Sequence, residues 1–249
     1  MRPRIFLLFS AALCLTTSVF GAPLEAEATF TRANADYAAG KFPEAIKGYE
    51  SLVQGRQWNP ALFYDLGNAY YRRGDLGHAI LNYERALALD PNQPEARANL
   101  HLVRDQARAL ELPQSWAEAH LDFLTRDQYA WLTMIALWGA IAILAALYFA
   151  PRRPVVWIFA FVLLGAVSAG AAFAAYEFET GSAGRNLAIV TQKNIQARLA
   201  TAESAGTVLV LPAGSQIKIL STRGDWSYAV LPNDLQGWIP AQSAERVRL

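Results

Sequence analysis

Two apolar runs, Tyr129 to Ala150 and Val155 to Tyr176, lie back to back near the middle of this 249-residue chain, with only Pro151-Arg152-Arg153-Pro154 between them. Each run is about 22 residues long, against the ~20 that an α-helix needs to cross ~30 Å of hydrocarbon. Neither contains Asp, Glu, Lys, Arg or His, the side chains that cost most at mid-membrane. A buried helical hairpin in a soluble core is the alternative, but two such runs in tandem are rare in soluble domains. The pair reads as a two-helix membrane hairpin, which makes this a multidomain membrane protein with a soluble part on each side of the hairpin.

Arg152 and Arg153 mark the short connection as cytoplasmic under the positive-inside rule. The far ends carry Arg126 beside Asp127, and Glu177 and Glu179, with no excess of Lys or Arg. Both soluble parts are therefore expected on the outer, periplasmic side of a bacterial cytoplasmic membrane. Tyr129, Trp131, Tyr148, Trp157 and Tyr176 lie near the helix ends, where amphipathic rings favour the interface. Thr125-Arg126-Asp127-Gln128 has the spacing of a capping box opening the first run.

The N-terminus fits the same orientation. Met1-Arg2-Pro3-Arg4 is basic, Ile5 to Phe20 is apolar, and Gly21 offers a small residue for cleavage, so residues 1–21 read as a signal peptide. If the segment stays as an anchor, the next domain still lies outside. Cys14 is the only cysteine, and Leu13 before it argues against lipidation. A cleaved chain then has no cysteine, which excludes disulfides and thiolate chemistry.

The net charge of +1 gives no argument for nucleic-acid binding. His78, His101 and His120 stand at no metal-ligand spacing. No nucleophile with its base, carboxylate pair, phosphate loop or metal motif is visible. The expectation is a binding protein that is not an enzyme and holds no cofactor.

The part before the hairpin repeats itself every 34 residues. Asn34 recurs as Asn68, Gly40 as Gly74, Ala45-Ile46 as Ala79-Ile80, Tyr49-Glu50 as Tyr83-Glu84, Pro60 as Pro94 and Leu66 as Leu100. Such a period marks stacked helix pairs that bury a core together which one pair cannot make alone. Gly67 and Ala79 are small where paired helices approach, and Pro91 after Asp90 stops a helix. The spaced set Phe63, Leu66-Gly67, Tyr70, Gly74, Ala79, Tyr83, Ala86 and Pro91 resembles the tetratricopeptide repeat family. The expected domain is all-α and spans 22–111, with repeats at about 27–60 and 60–93 and a capping helix at 94–110. The resemblance implies a peptide-binding face lined by first helices, with Asn34 and Asn68 on it and Asp65, Tyr71 and Arg72 near it. Asn34 and Asn68 either hold a peptide backbone or merely satisfy helix packing. The family's basic clamp for a C-terminal carboxylate is not expected, because those positions hold Phe30, Tyr64 and Asn99.

Residues 112–128 form a connector. Pro113, Trp116, Leu121, Phe123 and Leu124 suggest a short amphipathic helix, resting either on the outer leaflet or on the end of the repeats. Gly165 with Ala169, and Ala166 with Gly170, form small-x-x-x-small pairs, which serve either close contact of the two membrane helices or dimerisation; hairpin contact is the expected use, since the partner helix is tethered four residues away.

After a link at 177–186 the pattern shifts to short strands punctuated by Gly and Pro: Leu187–Thr191, Ile195–Leu199, Thr207–Leu211, Gln216–Ser221, Trp226–Leu231 and Gly237–Pro240. So many strands over residues 187–249 suggest a small all-β barrel. Ala197-Arg198, Leu211 to Ser215, Gly224-Asp225-Trp226 and Gly237-Trp238-Ile239-Pro240 resemble bacterial SH3-like domains. Trp226, Tyr228, Trp238 and Pro240 form either an aromatic ligand shelf, for a proline-rich peptide or peptidoglycan, or the core and rim of the barrel.

The order of segments, and the stretch Phe123-Leu124-Thr125-Arg126-Asp127-Gln128-Tyr129-Ala130-Trp131, resemble the BatE proteins of the Bacteroides aerotolerance cluster. That resemblance implies a scaffold in aerotolerance or envelope stress. Its partners would be membrane proteins with von Willebrand factor A domains and a MoxR-type ATPase.

Overall fold

The computed structural model describes residues 21–114, 119–121, 124–149, 155–181 and 184–249. The expected signal peptide up to residue 20, the connection at 150–154 with Arg152 and Arg153, and Trp116 and Phe123 lie outside them.

Among the described residues, five helices come first: α1 (Gly21–Ala38), α2 (Phe42–Gln54), α3 (Pro60–Arg72), α4 (Leu76–Leu89) and α5 (Pro94–Ala107). Their starts follow from local chemistry. Pro60 and Pro94 stand in the first turns of α3 and α5, where a missing N–H costs nothing. Asn59 caps α3 by accepting from the Leu62 N–H at 2.8 Å, and Asp75 caps α4 by accepting from His78 N–H at 3.3 Å. Ala45, Ile46, Leu62, Leu66, Ala79, Ile80 and Tyr83 form one buried core across the helix pairs. Gly67 is required there: a Cβ on it would lie 2.8 Å from the Tyr83 ring and 3.3 Å from the Ala79 carbonyl.

Two long helices follow, α6 (Arg126–Phe149) and α7 (Val155–Thr180). Both are long and apolar enough to cross a membrane, and only 11% of each apolar window is buried inside the molecule. Trp131, Ile135, Trp138, Phe159 and Leu163 are among the large apolar side chains left exposed. The reciprocal cap at Thr125 and Gln128 is present: Thr125 N–H donates to Gln128 Oε1 at 2.8 Å, and Gln128 N–H to Thr125 Oγ1 at 3.3 Å. The helices meet through Ala136 and Ala140 on one side and Ser168, Ala171 and Ala174 on the other, with Ser168 Oγ donating to the Thr133 carbonyl at 3.1 Å.

The small-x-x-x-small pairs are not at this contact, contrary to the sequence expectation. Gly165, Ala166, Ala169 and Gly170 are exposed, and a Cβ on Gly165 or Gly170 would meet nothing within 4 Å. Helix geometry explains the difference. Leu164, which meets Gly139, shares a row with Ser168 and Ala171, while Gly165 and Ala166 are turned about 100° and 200° away from Leu164.

The last part is a seven-stranded antiparallel sheet in the order β3-β2-β6-β5-β4-β1-β7. Its strands are β1 (Leu187–Val190), β2 (Ile195–Arg198), β3 (Thr207–Leu211), β4 (Gln216–Arg223), β5 (Trp226–Val230), β6 (Gln236–Pro240) and β7 (Ala244–Arg246). Ala197, Leu211, Ile217, Ala229, Ile239 and Ala244 share one core. The sheet therefore curls over its own inner face. It is open, however, and not the closed barrel expected, because the edge strands β3 and β7 are not paired with each other. β7 was not foreseen, since Ala-Glu-Arg carries no strand pattern.

The sheet does not hang free of the helices. Leu187, Ile189 and Val247 belong to the same buried cluster as Ile80 and Leu81. Leu110 closes the seam: its carbonyl accepts from Gln216 N–H at 2.8 Å and its N–H donates to Ser215 Oγ at 3.2 Å. Leu112 N–H donates to Gln216 Oε1 at 3.2 Å. At Gly77 a Cβ would fall on the Thr191 carbonyl, far inside van der Waals contact.

Candidate partner-binding surfaces

The first helices α1, α3 and α5 carry a ladder of amides and tyrosines. Tyr49 on α2 donates its hydroxyl to Asn34 Oδ1 at 2.6 Å. The next repeat has the same bond, from Tyr83 on α4 to Asn68 Oδ1 at 2.7 Å. Asn99 Nδ2 adds a third rung, donating to Asn68 Oδ1 at 3.0 Å and to the Tyr64 hydroxyl at 3.4 Å. Tyr49 and Tyr83 are fully buried, and burial raises both hydroxyls well above the ordinary phenol range. Thus Asn34 and Asn68 satisfy buried hydroxyls through their oxygens, while their amide nitrogens remain on an accessible face. Phe30, Tyr37, Tyr64 and Tyr71 pack half-buried around the ladder. Asp65, next to Tyr64 on α3, is half-buried, and burial pushes its carboxyl up to about 6. Arg72 lies at the margin, its guanidinium 5.2 Å from the centre of the Phe42 ring.

The opposite face of α4 is closed by the sheet through charges. Arg85 bonds Glu245 at 3.2 Å and the Arg246 carbonyl at 3.0 Å. His78 touches Asp75 at 2.9 Å and Glu245 at 3.7 Å and stacks on Tyr70 at 4.9 Å. Burial alone would lower the imidazole pKa, but hydrogen bonds to the Asp75 and Glu245 carboxylates outweigh it and push it up to about 9. Arg104 pairs with Glu84, which also accepts from Gln216 Nε2 at 2.9 Å. A cavity of about 230 Å³ lies between Glu50, Tyr70, His78, Asn82, Arg85 and Glu245.

On the sheet, Trp226, Tyr228, Trp238 and Pro240 share one side of β5 and β6. Cross-strand register sets Trp226 opposite Pro240 and Tyr228 opposite Trp238. The alternate residues Ser227, Ala229, Gly237 and Ile239 are buried, and the four are only partly so. The rings of Tyr228 and Trp238 lie 5.0 Å apart. Trp226 and Pro240 border a wide cleft of about 910 Å³ with Arg198, Glu203 and Gln242.

The TPR repeat family matches the chain over residues 33–74 and 67–104. Residues 33–104 are tetratricopeptide repeats. That architecture points to a role in protein–protein interaction. A comparison with curated proteins returns no match.

Of the residues singled out from sequence, Asn34 and Asn68 make the same bond in successive repeats, Tyr71 packs half-buried against the core, Arg72 lies over the Phe42 ring, and Asp65 makes no hydrogen bond or ion pair among the described residues. Reasoning from sequence missed the tyrosine partners of the asparagines. The signal was there, in a tyrosine fifteen residues after each repeat asparagine. The Arg85–Glu245 contact had no such signal, since 160 residues separate its members.

Proposed function

We propose that this chain is a non-enzymatic, membrane-anchored adaptor that takes extended segments of partner proteins on the first-helix face of its repeats. One observation carries the reading. Asn34 and Asn68 are held from behind by the buried hydroxyls of Tyr49 and Tyr83, Asn99 is bonded to Asn68, and all three remain accessible in front. The docked sheet supports the topology as well. Two soluble parts that share a core and main-chain hydrogen bonds must lie in one compartment, as a two-helix crossing requires. The apolar, uncovered flanks of α6 and α7 support their placement in a bilayer. The arginine-bearing sequence of the connection supports a periplasmic side for the soluble parts. Likeness of the segment order to the BatE proteins favours partners with von Willebrand factor A domains and a MoxR-type ATPase system, in aerotolerance or envelope stress.

The test is co-purification of partners with the full chain from membranes, using Asn34→Asp with Asn68→Asp. These changes keep an acceptor for each buried tyrosine but remove the amide donors. Partners are expected to be lost; an unchanged set of partners sinks the groove.

The second reading is a wall-binding anchor, with the sheet as an SH3-like domain. It is favoured by the outward row of Trp226, Tyr228, Trp238 and Pro240. Retention of the full chain on purified peptidoglycan sacculi, lost in Trp226→Ala with Trp238→Ala, would support it.

A further inference from the structure

Four cations from distant stretches of the chain meet where the helical hairpin joins the soluble part. Arg126 opens α6, Arg185 stands between α7 and β1, Lys218 lies on β4 and Arg248 follows β7. Three of them converge on one carboxylate near the end of α7. Glu179 holds Arg126 at 2.5 Å, Arg185 at 2.7 Å and Arg248 at 3.3 Å. Lys218 donates to the carbonyl of the next residue, Thr180, which offers no full charge.

The charges here do not balance. Asp127 accepts from two nitrogens of Arg126. Glu179 is then shared among three guanidinium groups. Among the described residues no other carboxylate pairs with these cations, so two carboxylates face four cations. Arg185 and Arg248 each spend one terminal nitrogen on Glu179, out of five N–H donors per guanidinium. The cluster is also open. The side chains of Arg185, Arg126 and Arg248 are 74%, 40% and 33% exposed, against 9% and 10% for Arg85 and Arg104 inside the soluble part.

Its place in the fold says what stands opposite. Arg126 lies three residues before the uncharged run of α6, and Glu179 three residues after that of α7. In a hairpin that spans a bilayer, this is the depth of the lipid headgroups. Tyr176 is one turn below and 63% exposed, turned only about 40° from Thr180 and 60° from Glu179 around the helix. Phe173, 52% exposed, lies about 60° from Tyr176 and one turn further down. An apolar track thus climbs α7 and ends at surplus positive charge, as an acyl chain ends at a phosphodiester. Guanidinium groups suit that phosphate, which accepts paired N–H donors. A dissolved anion or an acidic peptide would make no use of the track.

We propose that Arg185, Lys218 and Arg248 form a site for the headgroup phosphate of an anionic phospholipid, with an acyl chain lying along Tyr176 and Phe173. Glu179 positions the guanidinium groups without neutralising them. This rests on the membrane-anchored reading above and adds a lipid ligand to it.

The full chain, stripped of lipid in detergent, is offered phosphatidylglycerol or phosphatidylcholine, and bound lipid is counted by native mass spectrometry. Phosphatidylglycerol is expected to be retained in preference. That preference should fall about tenfold or more in Arg185→Gln with Lys218→Gln and Arg248→Gln, which keep the pair of Arg126 and Glu179. Glu179→Gln separates binding from folding. It removes the shared carboxylate but leaves every cation, so the preference is expected to stay or rise. Equal retention of both lipids by the unsubstituted chain overturns the proposal. So does an equal loss in Glu179→Gln and the triple variant, which would make the cluster a structural joint only. Displacement of the lipid by an equal concentration of glycerol phosphate, which has the charge without the tails, would make this an anion site and remove the lipid. A triple variant that keeps its lipid preference but loses an acidic partner protein would give the cluster to that partner. Reconstitution into neutral phosphatidylcholine vesicles tests the anchor by itself. A chain that stays with those vesicles through an alkaline carbonate wash, yet shows no preference for phosphatidylglycerol, keeps the anchor and loses the site. A chain that washes off removes both.

Discussion

The two faces of the repeat stack are built on different rules. The first-helix face is a surface of amides and tyrosines, and no part of the described chain covers it. The opposite face of α4 carries arginine, histidine and glutamate, and these are matched by residues of the sheet. One face is covered within the molecule; the other is not. The contrast teaches that exposure alone does not mark a binding face. What sets the first-helix face apart is a repeated amide whose oxygen meets a buried hydroxyl while the residue itself stays accessible.

The contrast can be broken most forcefully at Arg104. Its guanidinium and the Glu84 carboxylate are 10% and 13% exposed, so removing one partner strands a buried charge. Arg104→Ala is expected to destabilise the soluble unit by about 3 kcal/mol, read as a fall in the thermal midpoint in detergent. Gly77→Ala comes next. Its methyl would press on the Thr191 backbone, an overpacking expected to cost about 1–3 kcal/mol. It should show as faster proteolysis between the repeats and the sheet. A loss confined to the first-helix face would contradict the assignment of α4 as the docking helix.

Tyr83→Phe acts on the other face. It deletes the hydroxyl that orients Asn68, and about 1 kcal/mol of stability is expected to go with it. Contact between repeats and sheet should remain intact by the same protease assay. The smallest effect is titration of the docked face. His78 has its pKa raised when folded, so its contribution is full below about 6.5 and fades as pH rises through about 9. Asp75 and Glu245 are depressed, chiefly through His78, so theirs fades as the solution becomes acidic. Arg85, Arg73 and Glu50 are the other charged groups around this cluster. Docking should be firmest near neutral pH, and His78→Gln should abolish the alkaline limb of a stability–pH curve.

Much of this architecture was legible in the residues. The 34-residue period located the helix pairs because stacking demands small residues and caps at fixed offsets, and Gly67, Asn59 and Asp75 serve those roles. The hairpin was legible from the absence of charge. Its contact row was not, because small residues occur all around α7 and only packing picks out Ser168 and Ala171. Sheet closure was not legible either: strand count suggests a barrel, but whether β3 meets β7 depends on curvature that no single residue encodes. The docked face was invisible for a different reason. Arg85, His78, Gln216 and Glu245 look like ordinary surface polars until the fold sets them against one another.

Glu179, near the end of α7, gathers three arginines. Arg126 at the start of α6 lies 2.5 Å away, Arg185 just before the sheet 2.7 Å, and Arg248 at its far end 3.3 Å. Lys218 of β4 also donates to the Thr180 carbonyl. Among the described residues, the hairpin is thereby tied to the sheet by ion pairs and a main-chain contact. Under the membrane-anchored reading proposed above, a lean of the two helices to match local bilayer thickness would pass to the sheet through this one carboxylate.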